Sequence, residues 1–430
     1  MQKKFDVAVI GAGLCGIRSA QLVAAQDKSV AVFEAATEPG GVLKSIKTPN
    51  NAVVEEYYHH LFPSDKLSLA VIAGFGLASK LEWWNARSAF LLENELYELS
   101  TPTDLIHFKP LSRLERAVLA AFLLRVKLAN PAKYDNVNAV EWIRSRAGES
   151  VYNKFFAPLL RSKFGDAAPK ISAAWFIERM KTRSKRGIKG EKLGYLRGGF
   201  HQLLQAIKRN AEARGAQLHY NSPLKKITRN PDGSFTVTAG RQAVKADKVI
   251  STIPPARLSE AIELGDWFAS RMKRLEYQGA VCVSLGLKAP QLSDYYWTNV
   301  LTPRLEFGAI VEHTNLAPRP DYKETIVYLA SYPDKNNAVW RAPSKQVFQK
   351  YFDGLRKAFP WLAAKEVNWW HVAREPNAGI VYSQGTRALL PFDCRTPVPN
   401  LFAGGMFNAY PDRSIEQTLK TAEKLAKLAR

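Results

Sequence analysis

Gly11-Ala12-Gly13-Leu14-Cys15-Gly16 sets three glycines at the spacing of a turn that cradles a diphosphate. Gly11 allows the tight turn, Gly13 lets the backbone close on a pyrophosphate, and Gly16 lets a following helix pack against the preceding strand. The N-terminus of that helix offers unpaired N–H groups and the positive end of its dipole to phosphate charge. Glu34, 18 residues beyond Gly16, is placed to accept hydrogen bonds from a ribose, and a carboxylate there disfavours a 2′-phosphate. His59, His60 and His313 are the candidate catalytic groups. An imidazole titrates near neutrality and can orient or deprotonate a bound molecule, although each also reads as a structural histidine. Tyr295, Tyr296, Trp297, Trp369, Trp370 and Tyr382 supply aromatic walls for a pocket or for the core. No metal-ligand spacing and no Ser/His/Asp arrangement is visible, so no metal is expected.

The elements that must position these groups are legible around them. Residues 5–10 form an apolar, β-branched run typical of a buried parallel strand. A helix pattern follows over 17–25, then a second strand over 29–33 that ends at Glu34. Strand, glycine turn, helix, strand and acid together indicate an adenine dinucleotide, with NAD and FAD both open at this point. Further on, Gly194 to Phe200 reads Gly-Tyr-Leu-Arg-Gly-Gly-Phe. After it come a helix over 201–214, strands over 217–220, 235–239 and 246–251, and a turn at Asn230-Pro-Asp-Gly233. Near the C-terminus a short strand at 399–403 precedes Gly404-Gly405-Met406, then Tyr410-Pro-Asp-Arg413-Ser414-Ile415 and a last helix.

The glycine-rich start followed by Glu38-Pro39-Gly40-Gly41 resembles the flavin-containing amine oxidase, protoporphyrinogen oxidase and phytoene desaturase superfamily. The resemblance implies FAD as cofactor and covers the chain in three blocks in the right order. It places Gly40 and Gly41 near the flavin, where the family's usual arginine is replaced by Val42; Lys44 is a candidate substitute. It places the backbone near Leu224 at the adenine. It places Gly405, Met406, Arg413, Ser414 and Ile415 around the ribityl chain and flavin, with Met406 standing where the family has Asp. The implied fold class is α/β. A discontinuous Rossmann-like FAD-binding domain (1–56, 194–254 and 387–430) accompanies a mixed α+β substrate domain, mainly helical over 57–193 and mixed sheet over 255–386.

The chain has 430 residues, with 61 Lys and Arg against 39 Asp and Glu, a balance of +22. Half of the excess sits in two stretches: +5 over 109–133 and +6 over 179–192. Residues 110–129 read as one helix with Pro110 in its first turn. Arg113, Arg116 and Lys127 fall on one side of it, and Leu111, Leu114, Val118, Leu119, Phe122 and Leu123 cover much of the rest. That pattern suits a helix on an anionic membrane surface, or a buried helix with a solvated basic edge. The two stretches 110–133 and 179–192, from Pro110 to Lys133 and from Arg179 to Lys192, are the candidate membrane or acidic-ligand contacts. No nucleic-acid module accompanies the charge, so none is expected to bind.

Cys15, Cys282 and Cys394 are far apart, which suits a reducing cytosol. No stretch reaches the roughly 20 apolar residues of a spanning helix, and no cleavable signal peptide is expected at the N-terminus. The expected location is cytoplasmic, peripheral on the inner face of the membrane if the helix binds lipid. The resemblance implies an FAD-dependent oxidase, dehydrogenase or desaturase acting on a hydrophobic, anionic, isoprenoid or porphyrin-like molecule. A flavin-dependent sugar-nucleotide mutase and a non-catalytic lipid or prenyl carrier are the alternatives on the same fold.

Overall fold

Strand β1 (Lys4–Ile10) is buried along its C-terminal half, as a central parallel strand demands. The computed structural model describes residues 3–183, 190–302, 305–317, 321–411 and 413–430. Helix α1 (Leu14–Ala24) starts earlier than the pattern suggests, because Gly13 already has the extended backbone of an N-cap. Strand β2 (Val30–Phe33) pairs in parallel with β1, and Gln217–His219 pairs in parallel with β2. On the other edge of β1 lies Gln242–Ser251, followed by Leu401–Ala403, both parallel. One parallel sheet is thus assembled from N-terminal, middle and C-terminal stretches, the discontinuous Rossmann-like architecture. A hairpin of Leu224–Arg229 and Phe235–Ala239 extends it, turning at Gly233. Helix α1 packs between His201–Ala213 and Ile415–Leu428.

A second seven-stranded sheet runs in the order Val367–Ile380, Tyr277–Leu287, Thr325–Ser331, Ala309–Glu312, Trp297–Val300, Ser88–Leu92, Glu95–Glu98. Helix Ser344–Ala358 covers it with Val347, Tyr351 and Leu355 buried. The interval expected to be mainly helical therefore also supplies two strands. They are joined at Glu93 and Asn94, whose φ angles of 49° and 72° are those of a two-residue hairpin turn. Leu81–Ala86 likewise pairs with Glu191–Leu196.

The basic helix spans Arg113–Leu128, and Pro110 lies outside it. Ser112 sets the start: its hydroxyl accepts from Glu115 N–H while the Glu115 carboxylate accepts from Ser112 N–H, satisfying two otherwise unpaired donors. The apolar face read from the sequence is largely core, since Leu111, Leu119 and Phe122 are buried. A different stripe faces outward: Leu114, Ala117, Ala121, Leu124 and Leu128, at alternating spacings of three and four. Leu114, Leu124 and Leu128 are 75%, 61% and 88% exposed. The second basic stretch begins in helix Ala173–Arg183 and ends in strand Glu191–Leu196; its residues 184–189 lie outside the described residues. Among the described residues no helix is long and apolar enough to cross a membrane.

Candidate functional site

The glycine turn is built by close approach. A Cβ on Gly16 would lie 1.9 Å from the Gly11 carbonyl oxygen, whereas one on Gly13 would meet nothing nearer than 3.9 Å. Gly16 therefore serves the packing of α1, and the space before Gly13 is open to a ligand. The first turn of α1 buries Leu14 and Cys15. Glu34 accepts from the N–H of Ala12 at 2.6 Å and of Ala36 at 2.9 Å, which fixes its carboxylate beside the turn. Ser222 N–H donates to the Glu34 carbonyl at 2.7 Å, bringing the backbone leading to Leu224 alongside. Gly40 N–H donates to the Ala12 carbonyl at 3.1 Å, so the Gly40-Gly41 turn closes against the first glycines. An open cradle, a helix N-terminus and a fixed carboxylate fit the diphosphate and ribose of FAD. Lys44 is held towards Glu38 at 3.7 Å. Gly405 N–H is satisfied by Asn408 Oδ1 at 3.2 Å, so that amide is not a spare donor for the cofactor, and Ser414 caps the last helix by accepting from Gln417 N–H.

A cavity of about 670 Å³ opens from this end of the molecule. Val42, Met406, Arg413, Ser414 and Ile415 line one end, and Leu123, Leu124 and Lys127 of the basic helix line the other. Tyr57, Tyr58, His59 and His60 form a wall between them. His59 Nδ1 lies 2.6 Å from the Tyr57 carbonyl, an acceptor, so this nitrogen carries the proton. Burial lowers the His59 pKa to about 4, so the ring is neutral at pH 7. His60 Nδ1 pairs with the Tyr296 hydroxyl at 3.0 Å. The wall is anchored by Glu55, which is fully buried and accepts from Tyr195 Oη at 2.8 Å and Phe200 N–H at 2.5 Å. That contact joins the segment after the Gly-Gly turn to the Gly194–Phe200 block.

His313 is not brought to the cavity. It is completely buried, its Nε2 sits 2.9 Å from Tyr322 Oη, and burial lowers its pKa to about 3. The geometry gives it a packing role beneath Tyr195 and Tyr328 rather than access to a ligand. Trp369 is tied to Glu324 at 2.7 Å and Trp370 stacks on Phe348, both away from the cavity, whereas Tyr296 and Trp297 line it. Sequence reasoning missed Tyr332 and Trp175, both cavity-lining. Tyr332 directly follows strand Thr325–Ser331, a position that no motif marks.

Comparison with known proteins agrees with this geometry. The family model described as flavin containing amine oxidoreductase matches residues 14–429. Coproporphyrinogen III oxidase of Staphylococcus aureus is 24% identical over 265 residues, covering 52% of this chain and 54% of that protein. The chain spans about half the length of the curated relatives it matches. Among solved structures, a candidate protoporphyrinogen oxidase from Exiguobacterium sp. 255-15 superposes with a TM-score of 0.79 at 17% identity, covering 99% of this chain and 98% of that one. Reduced UDP-galactopyranose mutase superposes with a TM-score of 0.73 at 16% identity, covering 97% and 92%. At these identities the structural matches speak for the fold.

Proposed function

The chain belongs to the flavin-containing amine oxidoreductase family, and from that premise we propose that it is an FAD-dependent oxidase, dehydrogenase or desaturase of a hydrophobic small molecule. The observation that carries this reading is the cavity, which is lined both by Val42, Met406 and Ser414, next to the nucleotide fold's glycine turns and last helix, and by apolar walls. FAD, when bound, supplies the two-electron chemistry, so the protein's task is to place the substrate and keep water out. Phe90, Phe155, Phe156 and Phe176 make the cavity's walls apolar, while Lys127, Lys163 and Arg179 favour a molecule that also carries negative charge. A neutral His59 with its pKa near 4 orients a ligand better than it takes up a proton at pH 7.

The test is spectroscopic. The purified protein is expected to be yellow, and anaerobic addition of porphyrinogens, polyenes or amines is expected to bleach the flavin with the correct class. Colourless protein that FAD cannot reconstitute sinks the reading. The same basic cavity and the fold shared with the mutase support a second reading, a flavin-dependent isomerase. Product formed only by pre-reduced enzyme, without net bleaching, selects it.

The outward stripe on Arg113–Leu128 supports peripheral membrane docking as part of the proposal. Ile106 is also 64% exposed, Arg113 and Arg125 flank the stripe, and Leu124 and Lys127 reach the cavity mouth. Apolar side chains between cations suit an anionic bilayer. Replacing Leu114, Leu124 and Leu128 together by Gln is expected to abolish co-sedimentation with anionic liposomes and to leave thermal stability essentially unchanged. Undiminished sedimentation refutes the docking face.

A further inference from the structure

Arg413 lines the cavity, directly before the residue that caps the last helix. Its immediate neighbours belong to the substrate side of the molecule, not to the nucleotide turn. The guanidinium lies over the Tyr332 ring, 5.2 Å from its centre. Its side chain passes so close to Gly379, in strand Val367–Ile380, that a Cβ there would lie 2.1 Å from Cδ and 2.7 Å from Nη1. Among the described residues no carboxylate pairs with it. A half-buried cation held by packing alone, and facing a cavity, lacks the counter-ion that such groups ordinarily keep. The Tyr332 ring and the Gly379 backbone confine the side chain, and a guanidinium without a carboxylate partner is suited to accept one through two parallel hydrogen bonds.

A second donor stands beside it. The hydroxyls of Tyr58 and Tyr332 are 2.8 Å apart, and both residues line the cavity. One O–H is spent in that contact, so one remains to donate elsewhere. We infer that Arg413, with the free hydroxyl of the Tyr58–Tyr332 pair, anchors a carboxylate of the substrate, which is therefore an organic acid with an apolar body. This rests on the oxidoreductase reading above and narrows its substrate class; it also assigns Arg413 to the substrate rather than to the cofactor.

The test uses the flavin-loaded protein and a matched pair of probes, octanoate and 1-octanol, with binding followed by tryptophan fluorescence and by the flavin spectrum. Octanoate is expected to bind the parent protein more tightly than octanol. Arg413→Gln is expected to weaken octanoate by about 10-fold or more, the scale of a lost charge-assisted hydrogen bond. It should leave octanol binding and FAD content unchanged. Arg413→Lys, which keeps the charge but not the fork, should fall between. Gly379→Ala, which displaces the side chain without removing it, should also weaken octanoate selectively. If Arg413→Gln does not fold, the Lys and Gly379→Ala variants decide by the same selectivity. Equal loss of both probes, unchanged octanoate affinity, or loss of FAD with probe binding intact overturns the assignment. A parent protein that binds octanoate through Arg413 but never holds flavin sinks the oxidoreductase reading alone.

Discussion

Gly16→Ala is expected to yield protein that is strongly destabilised and colourless, whereas Gly13→Ala yields protein of normal stability that holds FAD weakly. The difference follows from what each added methyl meets. At Gly16 it lands 1.9 Å from the Gly11 carbonyl oxygen, a backbone atom of the strand-to-helix turn that cannot swing aside. The helix must lift from the sheet, and the cost is at least about 3 kcal/mol, at the upper end of overpacking. At Gly13 the nearest protein atoms are 3.9 Å away and the backbone is extended, so the flavin-free fold accepts alanine. The methyl instead occupies the space into which a pyrophosphate must come, and a steric cost of about 1–3 kcal/mol there weakens binding by about 10- to 100-fold. Denaturant unfolding of the flavin-free proteins and FAD titration of each separate the two effects. Equal losses of stability in both variants would contradict this division of roles.

Glu55→Ala is the second large effect. Its carboxylate is the shared acceptor for Tyr195 Oη and Phe200 N–H, all three buried. Truncation leaves two donors without partners in a dry core, at a cost of about 3–5 kcal/mol. Glu55→Gln keeps one acceptor oxygen and recovers much of this. Burial raises the Glu55 carboxyl above its ordinary value. The folded state therefore holds this proton more firmly than the unfolded chain does. Stability from this residue is therefore full below the ordinary carboxylate range and declines as pH rises towards the raised value. Equilibrium unfolding from pH 4 upwards should show that decline in the parent and lose it in Glu55→Gln. An identical slope in both would show that Glu55 is not the titrating group. The wall from Tyr57 to His60 hangs from this anchor, so turnover should fall in Glu55→Ala even where the protein remains folded.

Much of the nucleotide fold was legible because its constraints are local. Three glycines, an acid at a fixed distance and an apolar run that gives way to a helix pattern all lie within residues 5–34, and strand β1, helix α1 and strand β2 follow. The same holds for the turn at Gly233. The cavity was less legible, because its walls come from residues far apart in sequence and of ordinary type. Tyr58 and Tyr332 meet across 274 positions, and nothing in either neighbourhood announces the other. His313 was a candidate because an imidazole titrates near neutrality; a hydroxyl partner and complete burial make it core. The basic helix shows a subtler limit. Its amphipathic pattern was visible, but with apolar residues around most of the circumference, periodicity alone did not say which stripe faces the core.

The parallel sheet also carries a consequence for how the protein comes into being. Strand β1 leaves the ribosome well before its partners, since Gln242 lies 232 residues beyond Ile10 (242 − 10) and Leu401 lies 391 residues beyond it (401 − 10). Such pairings demand the closure of very long loops before any of them is rewarded, so this half of the molecule should assemble late and slowly. Until then the apolar edges of β1 and β2 need shelter from aggregation. A dinucleotide that binds only the closed sheet draws the last step forward by mass action. Limiting FAD during synthesis is thus expected to lower the yield of folded protein.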